Sequence, residues 1–489
     1  SGYSGTVHFT SSDSQALLPV EYTFVAGDSG THTFAGGLTL RTAGSQTATA
    51  TDVTNGNISG TSDAISVSAA AASHLQVVAW RGSTTAGDSL GVTVTAQDQF
   101  GNTVTGYTGT IHFTSTDAQG TLPSDYSFSA GDNGAHIFPN AVTLRTAGNQ
   151  TVTATDATTG TITGNANPIA VGAATVSQLV YVQQPTNTAA SSSITPAVTV
   201  QLRDSFGNLI SGASVTIAIG TNPSGGTLSG TTTASSVNGV ATFSNLSINR
   251  AGTGYTLTAS TTGAPAASSA AFGIAPGPAS RLVFTNQPTT TLAGSTINGV
   301  TGMWVTIQDA GGNTVTSSTA PITVAFGNNP TGATLTGSTT VSAVNGTATF
   351  NLSITRAGTG YTLVATSGAL IGATSNSFDI TAGAAQRLAF IVQPSNTART
   401  ATMTPAVQVA VQDQFGNTVT SSAAAIALAI GTNPGSGGGG TLTGGGAVNA
   451  VNGVATFSNL SINRTGTGYT LVASSGTLTS ATSNPFNIT

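Results

Sequence analysis

Cysteine is absent from this chain of 489 residues, which excludes disulfides and thiolate metal sites. Lysine is absent as well, and Glu21 is the single glutamate. Charged residues make up only 5% of the chain, against about 25% in typical globular domains. The net charge of -5 gives no field that would attract nucleic acid or anionic lipid. Uncharged polar side chains and glycine must cover the surface, so two such surfaces repel each other little.

Long apolar runs are also missing, so no membrane-spanning helix is predicted. No signal peptide, tag or initiator methionine opens the chain, and we expect the natural product to be longer. All five histidines lie before residue 137, so the later part of the chain has no Ser-His-Asp triad. Low charge can mean disorder, but disordered chains lack the regular Val/Ile/Leu/Phe alternation that fills this one.

One five-residue motif recurs at a nearly fixed spacing. It occurs at residues 98–102 (DQFGN), 204–208 (DSFGN), 309–313 (DAGGN) and 413–417 (DQFGN), and its aspartates are 106, 105 and 104 residues apart. Alternating Val/Thr/Ile segments lie on either side of each motif. This spacing predicts a tandem array of one β-domain.

The motif itself predicts a hairpin corner. Residues 92–97 alternate as a half-buried strand does. Gly101 can adopt positive φ without a steric cost, and the Asp98 carboxylate can accept hydrogen bonds from the amides of the turn. Asp-x-x-x-Asn also resembles part of a metal loop, but no acidic run follows, and the structural interpretation is favoured.

The repeats divide the chain into five units, which we number in order. Units 1 and 2 (residues 1–72 and 73–173) are one type, and units 3, 4 and 5 (residues 174–276, 277–381 and 382–489) are a second type. Residues 2–10 match 106–114, so unit 1 lacks about thirty residues, including its first two strands and the turn. Two explanations stay open: a cut from a longer chain, which we favour, or strands supplied by another copy through β-augmentation. The linkers are short, which predicts an elongated, semi-rigid rod.

Units 3 to 5 share three further features. Each first strand ends in Gln-Pro, at Pro185, Pro288 and Pro394, which predicts a strand that switches sheets there. The segment 240–248 recurs at 347–354 and 454–462, and its shifted alternation predicts a one-residue bulge near Asn245 and Asn459. A late strand begins Gly-Thr-Gly-Tyr-Thr-Leu in each unit, and its tyrosine resembles the tyrosine corner of immunoglobulin-like sandwiches. These tyrosines are Tyr255, Tyr361 and Tyr469.

Together these motifs resemble the bacterial immunoglobulin-like repeats of large secreted and cell-surface proteins, over the whole chain. The resemblance rests on the Asp-x-Phe-Gly-Asn turn, the Gly-Thr-Gly-Tyr-Thr-Leu strand, and Leu-Arg-Thr-Ala-Gly at 40–44 and 144–148. It implies all-β units, each a seven-stranded immunoglobulin-like sandwich, that serve as stalks, adhesin shafts or fibres, with no shared catalytic residues. The turn at 309–313 lacks the usual aromatic, which we expect to weaken a core contact there.

Candidate sites for chemistry are few. His8 and His112 occupy equivalent places, as do His32 and His136, which favours a structural role such as cross-strand pairing. Three acids of unit 2 could cluster on loops at one end of the sandwich and bind calcium, although solvated loop acids are the simpler interpretation. These are Asp117, Asp125 and Asp132, which repeat in unit 1 as Asp13, Glu21 and Asp28.

Two tryptophans, a glycine run and several sequons are the remaining candidates for a binding or modification site. We expect Trp80 and Trp304 to pack in a core or against a sheet edge rather than to form a sugar platform. Gly435 to Gly440 is a loop tip, since no helix follows it as a phosphate loop requires. Asn-x-Ser/Thr occurs by chance in so threonine-rich a chain, and glycan attachment stays open.

The sequence therefore predicts a structural extracellular protein, a segment of a bacterial surface stalk, fibre or matrix filament. It is expected not to be an enzyme and to need no cofactor or metal. Its expected partners are further copies, by strand complementation, or other cell-surface components, with a glycan possible. The alternatives are an adhesin or carbohydrate-binding shaft, or spacers of a larger secreted enzyme.

Overall fold

The computed structural model describes residues 2–489. Within this range the protein is built from short β-strands, and its helical structure is limited to three 3-10 turns at Ala26–Asp28, Ala130–Asp132 and Gly299–Thr301. No helix in the described range has the length and apolar character needed to span a membrane.

The strands of the two units of the first type follow in chain order. Unit 1 contains β1 (Thr6–Ser11), β2 (Tyr22–Thr23), β3 (Gly44–Gln46), β4 (Ala48–Asp52), β5 (Ser59–Thr61) and β6 (Ile65–Val67). Unit 2 contains β7 (His74–Ala79), β8 (Ser83–Thr85), β9 (Ser89–Gln97), β10 (Thr110–Ser115), β11 (Tyr126–Ser127), β12 (Ala135–Thr143), β13 (Gly148–Gln150), β14 (Val152–Asp156), β15 (Thr163–Asn165) and β16 (Ile169–Gly172).

The three units of the second type have a similar strand sequence. Unit 3 contains β17 (Gln178–Gln183), β18 (Thr188–Ala189), β19 (Val198–Arg203), β20 (Ser214–Ile219), β21 (Leu228–Ser229), β22 (Thr233–Ser235), β23 (Val240–Phe243), β24 (Ser247–Ile248), β25 (Gly252–Tyr255), β26 (Leu257–Thr261), β27 (Ala264–Ser268) and β28 (Phe272–Ala275). Unit 4 contains β29 (Ala279–Asn286), β30 (Thr291–Leu292), β31 (Met303–Asp309), β32 (Pro321–Asn328), β33 (Leu335–Thr336), β34 (Thr340–Ser342), β35 (Thr347–Phe350), β36 (Ser353–Ile354), β37 (Gly358–Thr366), β38 (Ala373–Thr374) and β39 (Phe378–Thr381). Unit 5 contains β40 (Arg387–Val392), β41 (Val407–Gln412), β42 (Ala425–Ile430), β43 (Leu442–Thr443), β44 (Val448–Asn449), β45 (Val454–Phe457), β46 (Ser461–Ile462), β47 (Gly466–Tyr469), β48 (Leu471–Ser474), β49 (Ala481–Thr482) and β50 (Phe486–Ile488).

Each complete unit is an immunoglobulin-like β-sandwich. In unit 2 one sheet has the order β12-β9-β7 and the other β11-β10-β14-β15, while β13 and β8 pair with β16. Side chains alternate between the core and the surface, so Val92, Val94 and Ala96 of β9 are fully buried and the threonines between them are not. Inner-face residues of both sheets form one core.

The complete units have separate hydrophobic cores. The buried residues form four clusters, which span residues 75–171, 176–274, 282–380 and 388–488. The unit boundaries given above lie between these clusters and stay a prediction.

The first strand of each later unit switches sheets at Gln-Pro, as predicted. In unit 3, β17 runs antiparallel to β19 in one sheet, whereas β18 runs parallel to β28. Between them, the Gln184 side-chain oxygen accepts a hydrogen bond of 2.9 Å from the amide of Ala270. Gln287 and Gln393 accept the equivalent bonds. The glutamine side chain therefore connects the break to the facing sheet.

The tyrosine corner is confirmed in all three later units. The buried hydroxyls of Tyr255, Tyr361 and Tyr469 donate to the carbonyl oxygen five residues upstream, at 3.0, 2.8 and 3.0 Å. The predicted bulge near Asn245 is wrong in detail, because the strand ends at Phe243 and the next segment, β24, pairs with β21. A register shift within one strand occurs instead in unit 2, between Phe138 and Val142 of β12.

Unit 1 presents one half of the sandwich. Its main sheet has the order β2-β1-β4-β5, and residues 30–43 contain no strand where unit 2 has β12. Apart from a single bridge between Thr143 and Thr121, β12 pairs with β9, and the described residues of unit 1 include no strand equivalent to β9. Phe9, Phe24 and Phe34 are only half-buried, although their counterparts in unit 2 are buried.

We expect Tyr255→Phe to lower the free energy of unfolding of unit 3 by about 1 kcal/mol, because the carbonyl of Arg250 loses its donor. Tyr181→Phe in the same unit is the matched control, since the Tyr181 hydroxyl is buried without a hydrogen-bond partner among the described residues. Its removal should be neutral or stabilising. Differential scanning calorimetry of the full chain measures both, and equal losses in the two variants would contradict the prediction.

Candidate functional site at the unit joints

The Asp98 turn is the hairpin corner that the sequence predicts. Gln97 and Thr103 form an antiparallel bridge on either side of it. One carboxylate oxygen of Asp98 accepts hydrogen bonds from the amides of Phe100 and Asn102, both at 2.9 Å. The carboxylate thereby fixes the conformation of the turn.

The second carboxylate oxygen of Asp98 serves the joint between two units. It accepts a hydrogen bond of 2.9 Å from the amide of Ala70, which lies in the linker from unit 1. It also accepts one of 2.8 Å from the side-chain nitrogen of Asn102. Asp98 therefore attaches the linker and orients the Asn102 amide at the same time.

The oriented amide of Asn102 contacts the backbone of the preceding unit. Its Nδ2 donates to the carbonyl oxygen of Arg41 at 2.7 Å, and its Oδ1 accepts from the amide of Ala43 at 2.9 Å. We call this pair of cross-unit bonds, together with the linker bond to the aspartate, the joint clamp.

The joint clamp is present at all four joints. Every bond in it is between 2.7 and 3.0 Å long. At the second joint, Asn208 bonds the carbonyl of Arg145 and the amide of Ala147, and Asp204 accepts from the linker amide of Ala174. At the third joint, Asn313 bonds the carbonyl of Asn249 and the amide of Ala251, and Asp309 accepts from the amide of Gly277. At the fourth joint, Asn417 bonds the carbonyl of Thr355 and the amide of Ala357, and Asp413 accepts from the amide of Gly383.

The loop that receives the asparagine is itself held by a buried side chain. In unit 2, Asp117 accepts hydrogen bonds from the amides of Arg145 and Thr146. In unit 3, the Tyr255 hydroxyl bonds the carbonyl of Arg250, between the two residues that Asn313 contacts. Two different side chains, an aspartate in one type and a tyrosine in the other, therefore hold the same backbone groups in place for the next unit.

The aromatic residue of the turn also belongs to the joint. Phe206 packs against the core of unit 2, and the guanidinium of Arg145 lies 5.9 Å from the centre of its ring. Arg41 lies over Phe100 in the same way, at 5.2 Å. The core contact expected of this aromatic is therefore made, at Phe206, with the core of the preceding unit.

The clamp lowers the pKa of its aspartates. Burial raises the pKa of Asp98, but the hydrogen bonds from the Asn102 side chain and from three backbone amides outweigh burial and lower the pKa to about 2. Burial is likewise outweighed by hydrogen bonds at Asp204, Asp309 and Asp413, whose pKa values are also lowered. The ionised form is therefore the one that holds the joint.

The three acids considered for calcium do not come together. Asp117 holds the loop that Asn208 contacts, Asp125 pairs with His112 at 2.7 Å, and Asp132 accepts from the amide of Ser129 at 2.7 Å. No group of three or more His, Cys, Asp or Glu side chains suited to a metal occurs in residues 2–489. Each carboxylate has a structural partner instead.

The histidines have structural contacts. His8 and His112 pair with Glu21 and Asp125 beside the adjacent strand, as predicted for cross-strand partners. His136 stacks on Tyr126 with ring centres 3.9 Å apart, and His32 stacks on Tyr22 in the same way.

The tryptophans are more exposed than core residues. Trp80 is 51% exposed and its ring lies against the backbone of Gly91, while Trp304 is 43% exposed. Packing on a sheet surface therefore describes them, and core packing does not. A glycan partner stays a prediction.

Sequence reasoning missed the cross-unit role of the asparagine. Its partners are backbone groups about sixty residues upstream (61 for Asn102 and Arg41), which no motif identifies. The available signal was an asparagine that recurs four residues after an aspartate, which itself lies 28 to 32 residues after each linker residue that it binds.

Comparisons with known proteins concern the fold. No family model and no curated protein matches the chain. It is similar to the solved structure of FdeC, an Escherichia coli adhesin, with 21% identity over 65% of this chain and 100% of that chain and a TM-score of 0.36. It is also similar to invasin, a bacterial integrin-binding protein, with 15% identity over 85% of this chain and 79% of that chain and a TM-score of 0.29. A third similar structure is InvD of Yersinia pseudotuberculosis, with 19% identity over 63% of this chain and 97% of that chain and a TM-score of 0.29. At these identities and TM-scores the likenesses carry no argument about function.

We expect the joints to loosen in acid. An aspartate with a lowered pKa stabilises the folded arrangement fully above its unfolded pKa of about 3.9, and this stabilisation is lost as the pH falls through the folded value. For Asp98 that value is about 2. Flexibility across the first joint should therefore rise reversibly between about pH 4 and pH 2, and the other three joints, whose aspartates also have lowered pKa values, should loosen as the pH falls below about 4.

The measurement uses one joint at a time. Because the chain has no cysteine, Gln76→Cys and Ala218→Cys place spin labels on exposed strand positions of units 2 and 3, and electron resonance gives the distance distribution. Asp204→Asn should broaden that distribution at neutral pH and remove its further change in acid. An acid response that persists in Asp204→Asn would assign the titration to other carboxylates.

Proposed function

We propose that this chain is a non-catalytic structural segment of a bacterial extracellular or cell-surface protein, a stalk or spacer that holds its two ends apart. The observation that supports this is the joint clamp, which recurs with the same bonds at all four joints. A chain of independent binding modules needs no such repetition.

The clamp is strong enough to limit bending. Each joint has two bonds from the asparagine to the preceding unit and one from the linker to the aspartate. With about 0.5–1.5 kcal/mol for each bond, a joint gains roughly 2–4 kcal/mol, several times the thermal energy. The array should therefore behave as a semi-rigid rod of ~150–200 Å.

Removal of all four clamps should convert the rod into a flexible chain. We expect the combined variant Asn102→Ala, Asn208→Ala, Asn313→Ala and Asn417→Ala to keep folded units but to show a shorter mean end-to-end distance and a broader distribution of shapes. Small-angle X-ray scattering and negative-stain microscopy measure both. Asn167→Ala, at an exposed asparagine outside the joints, is the control. A four-fold variant as straight as the parent would refute the spacer proposal.

Assembly into fibres is the finer proposal, and the exposed inner face of unit 1 supports it. Phe9, Phe24 and Phe34 lie on a face that two more strands would cover. The first and second strands of units 2 to 5 are all paired within their own units. A donor strand must therefore come from residues outside 2–489, or a unit must open.

Electron microscopy distinguishes a fibre from a stalk. We expect the native material to form continuous fibres with an axial repeat of a few units. The chain of residues 1–489 alone should give separate rods, because the first strands of units 2 to 5, within the described residues 2–489, are already paired. Separate rods in the native material would exclude the fibre and leave the spacer proposal intact.

A further inference from the structure

One backbone position recurs in each complete unit, and in units 2 and 4 it lies against the turn of the next unit. It follows the short second segment of the first strand, and its amide donates to the carbonyl of the strand that precedes the clamped loop, at 2.8 to 2.9 Å. The residues and their φ angles are Gly87 (90°), Ser191 (63°), Gly294 (77°) and Thr400 (68°), bonded to Leu144, Ile248, Ile354 and Ile462. These identical bonds establish that the four positions are equivalent.

Glycine occurs at this position where a phenylalanine lies opposite. A Cβ on Gly87 would lie 2.8 Å from the ring of Phe206, and a Cβ on Gly294 would lie 2.4 Å from that of Phe415. Real Cβ atoms essentially never approach another heavy atom this closely, so a side chain at either position would displace the ring from its place against the preceding unit. Each ring therefore needs a glycine beneath it.

A residue with a side chain occurs where the opposing turn is small. By this equivalence, Ser191 is the counterpart of Gly87 and Gly294 at the joint with the turn 309–313, in which Gly311 takes the place of the phenylalanine. The backbone alone cannot explain the difference, because φ is left-handed at all four positions and would favour glycine at each. The residue at this position therefore depends on the size of the residue in the opposing turn.

We infer that this position and the third residue of the opposing turn form a complementary pair that determines which unit can follow which. Glycine accepts a turn with phenylalanine, and a residue with a Cβ accepts a turn with a small residue. The inference rests on the proposed spacer function, since the pair acts through the same joints. The end of unit 5, with Thr400, accordingly fits a unit whose turn resembles that of unit 4 and rejects a turn with phenylalanine.

Exchange of the pair at the joint between units 3 and 4 tests this inference. In the full chain, Ala218→Cys and Ala325→Cys carry spin labels on exposed strand positions of the two units. Gly311→Phe alone should shift and broaden the distance distribution, because the ring meets Ser191. Ser191→Gly alone should leave it unchanged, and Ser191→Gly with Gly311→Phe should restore the parent distribution. Broadening in the double variant, or none in Gly311→Phe, would overturn the inference.

The joint between units 2 and 3 provides the reverse exchange. Gly87→Ser should broaden the distribution between labels at positions 76 and 218, and added Phe206→Gly should restore it. Gly212→Ser is the matched control, since Gly212 also has a left-handed φ of 82° but a Cβ there meets no atom within 4 Å.

Failure of this inference differs from failure of the spacer proposal. Asn313→Ala should broaden the distribution between positions 218 and 325 whichever pair is present, because it removes the clamp itself. If Asn313→Ala broadens it and the exchanged pairs do not, the clamp stands and the pair does not select neighbours. If Asn313→Ala has no effect either, the spacer proposal fails with it.

Discussion

The arrangement of the array depends on one hydrogen-bonding group per unit, the side-chain amide of the asparagine that ends the turn. An asparagine amide offers one acceptor and two donors in a plane. At Asn208 one donor is used by Asp204, which leaves the oxygen and the other donor to bind an amide and a carbonyl of unit 2. This amide is placed by the ionised carboxylate of the aspartate, by the left-handed glycine of the turn and by the short linker.

A clamp on backbone groups suits a chain with so little charge. Only 5% of the residues are charged, and the ion pairs among the described residues lie within unit 1 or unit 2 rather than across a joint. Backbone amides and carbonyls are present in any sequence, so the clamp accepts Arg145 and Ala147 as readily as Thr355 and Ala357. It therefore joins units of the same type and of different types. What the receiving loop needs is a fixed conformation, which Asp117 provides in one type and a tyrosine corner in the other.

The sequence predicted features whose partners lie within one unit. The hairpin corner, the tyrosine corner and the strand switch each depend on local spacing or on turn chemistry, and alternation identifies the core strands. It did not predict the joint. The partners of Asn102 are backbone groups of another unit, and backbone groups have no residue identity to recognise. Calcium binding was the less favoured alternative for the acids of unit 2, and the sequence did not exclude it for a related reason: a carboxylate such as Asp117 that binds backbone amides looks, in sequence, like one free to bind a metal.

Two segments of one unit and the linker meet a single turn of the next unit, and this geometry decides how a joint resists motion. At the second joint, Ala174 of the linker, the loop 145–147 and Gly87 contact Asp204, Asn208 and Phe206, respectively. Three contacts that do not share a line oppose bending in every direction as well as twisting, whereas two leave an axis about which the units can rock. The third joint lacks the aromatic contact, because Gly311 replaces the phenylalanine. Among the joints between complete units, bending therefore costs least between units 3 and 4.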